Sequence, residues 1–268
     1  MQIQLPDYHV HTCFSGDSDA SLKDVLARAV SLSLPEICIT DHMDFDYPNQ
    51  PDFFLFDVQE YFSSLMALRE EYADRLSVRI GVELGLQPYL SGKLCDFIEK
   101  YPFDFVIGSS HIIDDADPYY PEFWEGRKPE AIVRHYFESV LENINAFSDF
   151  DIYGHLDYIV RYCPDKAFVY HCEEYMDIIE ECLRALIEKG KGIEVNTAGF
   201  FHGDSPNPHK KILCRYRELG GEILTVGSDS HTPEKMAWNF TMVREMLLSC
   251  GFSYVTTFAN RKASFMPL

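Results

Sequence analysis

Apolar and β-branched residues fall in short runs along the chain, and between the runs lie longer stretches whose apolar positions recur every three or four residues. The short runs predict strands over residues 5–10, 36–40, 77–84, 103–108, 151–155, 192–196 and 222–227, with a further one at 253–258. The longer stretches predict helices over 22–32, 58–75, 93–100, 129–147, 173–189, 209–219 and 233–250. Local chemistry supports several boundaries. Ser21 with Asp24 has the spacing of a helix N-cap, Thr232 followed by Pro233 reads as a cap with proline at the first helical position, and Gly190 and Gly220 stand where helices end in a left-handed residue.

Regular strand–helix alternation implies a mostly parallel sheet, either open or closed into a barrel. No internal repeat, low-complexity tract or long Pro/Gly/Ser-rich linker divides the 268 residues, so residues 1–268 read as one domain. The segment 114–128, DDADPYYPEFWEGRK, is aromatic and turn-rich and is expected to form an ordered loop over one end of the sheet.

Composition narrows the partners. With 46% hydrophobic and 25% charged residues the chain has ordinary globular proportions, and a formal net charge of −20 argues against a nucleic-acid partner, which needs a basic surface. An anionic substrate would need a locally positive site, built from metal ions or an arginine. The opening residues MQIQLPDYHV lack a signal-peptide pattern, and no run approaches the ~18 apolar residues of a membrane span. A cytoplasmic location without a membrane partner is expected, and oligomeric state is left open. The eight dispersed cysteines contain no C-x-x-C pair and are expected to be free thiols.

Placement of the histidines carries the chemistry. A lone histidine is more often a satisfied core or surface residue than a ligand. His9 and His11 form an H-x-H at the end of the first strand, where a two-residue period aims both rings to one face, their Cα atoms about 6–7 Å apart. His42 then closes ICITDH, Glu83 lies in IGVELG, His111 closes FVIGSSH, His155 closes DIYGHLD, and Asp229 with His231 repeats the i, i+2 spacing in TVGSDSH. Each follows an apolar strand at its C-terminal end, where parallel α/β proteins assemble active sites. That recurrence predicts a polynuclear metal site.

Of the remaining histidines, His135 is expected on a solvated helix face, and His171 and His209 as turn or cap residues. His202 directly follows a strand and is a candidate for substrate contact. Glu194 and Asn196 share a strand face and either satisfy polar groups in the mouth or touch substrate. Arg161 is expected to bind phosphate, because a planar guanidinium matches phosphate oxygens, with a surface salt bridge as the plainer alternative. Asp41, beside His42, would orient a ligand or act as an acid.

In order, DYHVHT, Asp17, ITDH, GVELG, GSSH, GHLD, EVNT and GSDSH resemble the PHP (polymerase and histidinol phosphatase) family over nearly the whole chain. The resemblance implies a distorted (β/α)7 barrel with three divalent transition-metal ions, manganese, iron or zinc, at its C-terminal face. It implies His9, His11, Glu83 and Asp229 around the first ion, Glu83, His111 and His155 around the second, and Asp17, His42 and His231 around the third. An aspartate at position 17, where many members have histidine, resembles the histidinol-phosphatase branch. The implied activity is hydrolysis of a small phosphate ester, L-histidinol phosphate, in histidine biosynthesis, without a protein nucleophile. Glu83, Asp229 and Arg161 would carry catalysis, and Arg161, Asn196 and His202 would contact substrate. Rival readings are a phosphoesterase acting on a nucleotide or another small ester, an amidohydrolase-type hydrolase, and a non-catalytic metal-binding module.

Overall fold

The computed structural model describes residues 5–268. Its main sheet is wholly parallel and curled, built from β1 (Glu36–Ile39), β2 (His42–Met43), β3 (Ser77–Gly85), β4 (Phe105–Ser109), β5 (Ile152–Tyr153), β6 (Gly192–Asn196) and β7 (Leu224–Gly227) in the order β1-β3-β4-β5-β6-β7. The short β2 continues the line of β1 and sets His42 opposite Glu83 of β3. All residues of β1, β4, β6 and β7 are buried, as expected of parallel strands covered on both faces.

Residues 5–10 run extended between β1 and β7 but make only isolated bridges, Asp7 with Ile37 and Val10 with Ser230, where the sequence predicts a full strand. Pro6 has no N–H to give, and side chains interrupt the ladder. Val10 N donates to Thr40 Oγ1 (3.1 Å), and the Asp7 carboxylate accepts from Ser228 N (2.9 Å). Backbone bonds nevertheless tie this segment to both neighbours: Cys38 N to Asp7 O (2.8 Å), Tyr8 N to Val226 O (2.9 Å) and Asp229 N to His9 O (2.8 Å).

Helices α1 (Leu22–Ser31), α2 (Val58–Tyr72), α3 (Ser91–Lys100), α4 (Pro129–Ala146), α5 (Met176–Glu188), α6 (Lys210–Glu218) and α7 (Phe240–Ser249) accompany the sheet. Their buried stripes have helical spacing, as with Leu22, Val25, Leu26 and Ala29 of α1. Ser21 caps α1 by accepting from Asp24 N (3.1 Å), and Gly190 and Gly220 follow α5 and α6 at φ +68° and +92°. Among the described residues no helix is long and apolar enough to cross a membrane.

Three expectations are corrected. The predicted helix 233–250 is split into a 3-10 turn, Pro233–Lys235, and α7, because Ala237 and Asn239 take left-handed φ of 53° and 57°. Burial of Met236 and Ala237, with Ala237 N bonded to Asp7 Oδ2 (3.2 Å), draws that stretch inward. A second strand after the predicted 253–258 segment completes an antiparallel hairpin, β8 (Tyr254–Ala259) with β9 (Lys262–Pro267). Its two-residue turn, Asn260–Arg261, has positive φ at both positions, which matches the twist of a hairpin. Finally, Cys214 and Cys250, with Cα atoms 4.7 Å apart, form a disulfide, and the other six cysteines are free.

The hairpin closes the N-terminal end of the sheet. Phe258 packs on Phe105 and Tyr8 with ring centroids 5.0 and 6.5 Å apart, inside an apolar cluster with Cys38, Ile107 and Ile152. Asp104 accepts from Asn260 N (3.0 Å), and Asp151 accepts from Arg261 Nε (2.6 Å). The opposite, C-terminal end is left free for chemistry. Tyr8 joins the parts: its hydroxyl donates to Glu36 and accepts from Phe258 N (2.7 Å), fully buried. Tyr8→Phe strips two buried partners of a hydrogen bond and is expected to lower unfolding stability by about 1–3 kcal/mol in urea titration, with turnover at 25 °C unchanged.

Candidate metal centre

Glu83, the seventh residue of β3, has no solvent exposure and sits at the focus of the candidate residues. Its Oε2 lies 3.1 Å from His9 Nε2, 3.5 Å from His11 Nε2 and 3.0 Å from His42 Nδ1. Its Oε1 lies 2.9 Å from His155 Nε2 and 3.3 Å from His111 Nε2. Asp229 Oδ1 approaches His11 Nε2 (3.3 Å) and His9 Nε2 (3.6 Å), while Asp17 Oδ2 approaches His231 Nε2 (3.1 Å) and His42 Nε2 (3.9 Å). The structure thus brings all nine donors that the sequence singles out into one continuous cluster at the C-terminal strand ends.

Backbone geometry aims two of them. His155 and Asp229 hold left-handed φ of 21° and 52°, uncommon for side-chain-bearing residues and characteristic of functional sites. Stacking orders the rings further: His11 lies 4.2 Å from His42 and 4.2 Å from His231, nearly parallel to both.

The chemistry of the donor set fits metal ions. His9 Nε2, His11 Nε2, His42 Nδ1 and Glu83 Oε2 are buried without a hydrogen-bond partner, although they crowd together. Buried acceptors without donors are costly, and a cation between them removes the cost. Donor atoms of His9, His11 and Glu83 lie within 4.8 Å of one another, as do those of Glu83, His111 and His155, and of His11, His42 and His231. Burial opposes ionisation of Glu83, but the imidazoles of His9, His42 and His111 hold its carboxyl well below the usual carboxylate range. Asp229 is likewise held low against burial, by His9, His11 and Arg161. For His11, burial and the neighbouring His231 and His42 push the ring well below its ordinary value, leaving it neutral, the form that ligates.

Outer partners fix the rings. Glu194 Oε1 lies 2.7 Å from His9 Nδ1, and its Oε2 accepts from His155 N (3.0 Å). Asp44 Oδ2 lies 2.6 Å from His111 Nδ1, leaving Nε2 to face Glu83. Asp44 is not among the residues the sequence singles out, although it follows His42 at the same two-residue spacing as the other pairs. Asp41 accepts from Thr12 N (2.6 Å), Thr12 Oγ1 (2.8 Å) and Ser15 Oγ (2.8 Å), so it anchors the loop after His11 and does not reach the open site.

A cavity of about 580 Å³ opens onto the cluster. Asp17, His42, His111, His155, Asp229 and His231 of the cluster line it, together with Asp44, Asp117, Tyr47, Phe54, Tyr158 and Tyr162, and Arg161, over the Tyr158 ring at 5.4 Å, and Lys235 also face it. The loop 114–128 supplies Asp117, Tyr119 and Tyr120, in keeping with its expected place over the sheet end. Arg161 donates to Asp229 Oδ2 (2.9 Å), Asn196 Oδ1 (2.7 Å) and Asn207 Oδ1 (2.7 Å). Asn196 lies beneath it, outside the cavity lining, and holds both Arg161 and Asp229. His202 does not line this cavity; it faces a second one, also about 580 Å³, on the far side of Arg161. His135 pairs with Asp114 on the exposed face of α4, and His209 caps α6, as expected.

Fold and donor geometry together define a metal-dependent α/β enzyme with a multi-metal centre. The PHP domain family matches residues 7–198, and the chain belongs to that family. It is 34% identical over 259 residues to the histidinol-phosphatase of Lactococcus lactis, covering 96% of this chain and 95% of that one. It is 30% identical over 249 residues to the probable histidinol-phosphatase of Clostridium acetobutylicum, covering 93% and 95%. The crystal structure of the L. lactis histidinol phosphate phosphatase, complexed with zinc, L-histidinol and phosphate, superposes with a TM-score of 0.91 at 32% identity, covering 97% of this chain and 99% of that one.

The contact between Glu194 and His9 exists because residue 227 has no side chain: a Cβ there would lie 2.3 Å from Glu194 Oε1 and 2.4 Å from His9 Cβ. Gly227→Ala is expected to displace one of them, lowering the metal content per chain in elemental analysis and unfolding stability by about 1–3 kcal/mol.

Proposed function

We propose that the chain is a histidinol-phosphatase, hydrolysing L-histidinol phosphate to L-histidinol and inorganic phosphate in histidine biosynthesis, as a single domain spanning 1–268 in the cytoplasm. The observation that carries this is the near full-length likeness to an enzyme whose structure holds zinc, L-histidinol and phosphate, joined to the donor cluster described above. We read the sheet, with residues 5–10 counted between β7 and β1, as a distorted (β/α)7 barrel. His9, His11, Glu83 and Asp229 would hold one ion, Glu83, His111 and His155 a second, and Asp17, His42 and His231 a third, with zinc, manganese or iron as the candidates. Bound there, divalent ions supply Lewis-acid charge for the phosphoryl oxygens and acidify water.

The remaining work falls to protein groups. Arg161 keeps one N–H on each terminal nitrogen beyond those given to Asp229 and Asn196, and so can donate to a phosphate oxygen from a fixed, almost fully buried position. Asp229, restrained by Arg161 and Asn196, keeps its other oxygen toward His9 and His11. Glu194 and Asp44 hold the rings of His9 and His111. The aromatic residues that line the cavity suit the other end of the substrate, an amine and an imidazole. Asp117 accepts from Tyr47 Oη (2.7 Å) there and offers a carboxylate among rings, a setting that favours a cation.

Two experiments test this reading. Elemental analysis of the purified chain is expected to give two to three transition-metal equivalents, with chelation abolishing hydrolysis. Asp17→Ala, whose side chain is 38% exposed, is expected to remove about one equivalent while the fold persists. In a phosphate-release panel, L-histidinol phosphate is expected to give the highest kcat/KM. Asp117→Asn should cost that substrate about 1.5–3 kcal/mol in kcat/KM and leave a plain alkyl phosphate nearly unchanged. Faster turnover of a nucleotide or sugar phosphate by the unmodified chain would favour the rival phosphoesterase reading.

A further inference from the structure

Among the described residues that line the cavity, the cations other than histidine are Arg161 and Lys235. Their situations differ. Arg161 is buried and committed to Asp229, while Lys235 is exposed and makes no ion pair within 4.0 Å among the described residues. Two acids that line the cavity with it are engaged elsewhere, Asp229 with Arg161 and Asp17 with His231.

Lys235 is nevertheless held in place. It ends the 3-10 turn that begins two residues after His231, and that turn is anchored from several directions. Ser18 Oγ donates to His231 O (2.9 Å), Ser230 Oγ to Thr232 O (2.7 Å) and Arg28 Nε to Pro233 O (3.2 Å), while Met236 and Ala237 beyond it are buried. The side chain rests on an aromatic shelf. Its Nζ stands 5.1 Å from the centre of the Phe201 ring, and Phe201 stacks on Trp238 at 5.4 Å and 27°. Both rings are large and remain 43% and 46% exposed. A cation over an aromatic face is held without being neutralised, unlike one paired with a carboxylate.

We propose that Lys235 is a second phosphate-binding cation of this site, standing at the mouth to draw the phosphate group in and to hold its outer oxygen while Arg161 and the metal centre take the others. In a chain of net charge −20 an anionic ester approaches against a repelling field, so an unpaired positive charge at the rim affects capture more than chemistry. The inference rests on the phosphomonoesterase reading, and its test separates the two.

Inorganic phosphate is titrated calorimetrically into the full-length, metal-loaded chain and into its Lys235→Gln and Lys235→Arg variants, at low and at physiological ionic strength, with metal content measured in each sample. The unmodified chain is expected to bind phosphate, Lys235→Gln about tenfold more weakly at low salt, and Lys235→Arg within about twofold. The gap between the unmodified chain and Lys235→Gln should narrow as salt rises and the Debye length falls to about 8 Å. With L-histidinol phosphate, Lys235→Gln should raise KM and leave kcat nearly unchanged. Equal phosphate affinity of the unmodified chain and Lys235→Gln at equal metal content overturns the proposal and leaves the phosphatase reading standing. Failure of the metal-loaded unmodified chain to bind phosphate at all overturns both.

Discussion

Everything at the C-terminal end of this sheet is arranged around one buried carboxylate. Glu83 has no contact with solvent, and five imidazoles approach its two oxygens within 3.5 Å. A carboxylate stripped of water and left without compensation would titrate upward and weaken the fold. Here the surrounding rings keep it ionised, and the partnerless nitrogens of His9, His11 and His42 show that hydrogen bonds alone do not complete the balance. Metal cations held among these donors would complete it. Strand β3, paired with β1, β2 and β4, is therefore the pivot of the centre, since Glu83 cannot move without shifting the register that sets His42 beside it.

Opposite ends of the sheet solve different problems. At the N-terminal end Asp104 and Asp151 accept backbone or arginine donors from the β8–β9 hairpin, and Phe258 fills the space between Tyr8 and Phe105. That end is satisfied and apolar. At the C-terminal end the acids and rings face one another with few donors between them, which confines reactivity to the mouth. Asp7 links the two, because its carboxylate accepts from Ser228 and Ala237 and so fixes the loop that carries Asp229 and His231. Burial pushes the Asp7 carboxyl up to about 6, a measure of how far this link lies from water.

Much of this was legible in the sequence because strand ends translate spacing into direction. H-x-H at the end of an extended segment puts two donors on one face, and the apolar runs before H-x-H and D-x-H mark which end of the sheet they occupy, although Asp229 turns to the cluster through a left-handed φ of 52°. Asp44 obeys the same rule from His42, at the end of the two-residue β2, and its place is beside His111 Nδ1, a contact between strands that spacing along the chain does not show. The break before α7 was hidden for another reason. Ala237 and Asn239 adopt left-handed backbone where the amide of Ala237 bonds to Asp7, 230 residues away, a partner that local sequence does not reveal. Cys214 and Cys250 stand 36 residues apart in sequence, and their meeting depends on how α6 packs beside the end of α7. His202 followed a strand as the ligands do, yet the 3-10 turn Thr197–Phe201 carries it past Arg161 into the neighbouring cavity.

The charge of the chain sharpens what the mouth must do. A phosphate monoester has to enter a cavity bordered by Asp17, Asp44, Asp117 and Asp229 on a protein of net charge −20. Cations placed among these acids are easily neutralised by them, as Arg161 partly is by Asp229. Binding the anion therefore calls for positive charge that neighbouring carboxylates do not reach. Ions held among Asp17, Glu83, Asp229 and the histidines would meet that need within the cluster, and an ammonium resting on stacked rings meets it at the rim. Asp117, which accepts from Tyr47 and is not among the candidate metal ligands, would attract the amine and imidazole of such a substrate. One cavity that offers both unpaired positive charge and a carboxylate set among rings can in this way accept a substrate that carries charges of both signs.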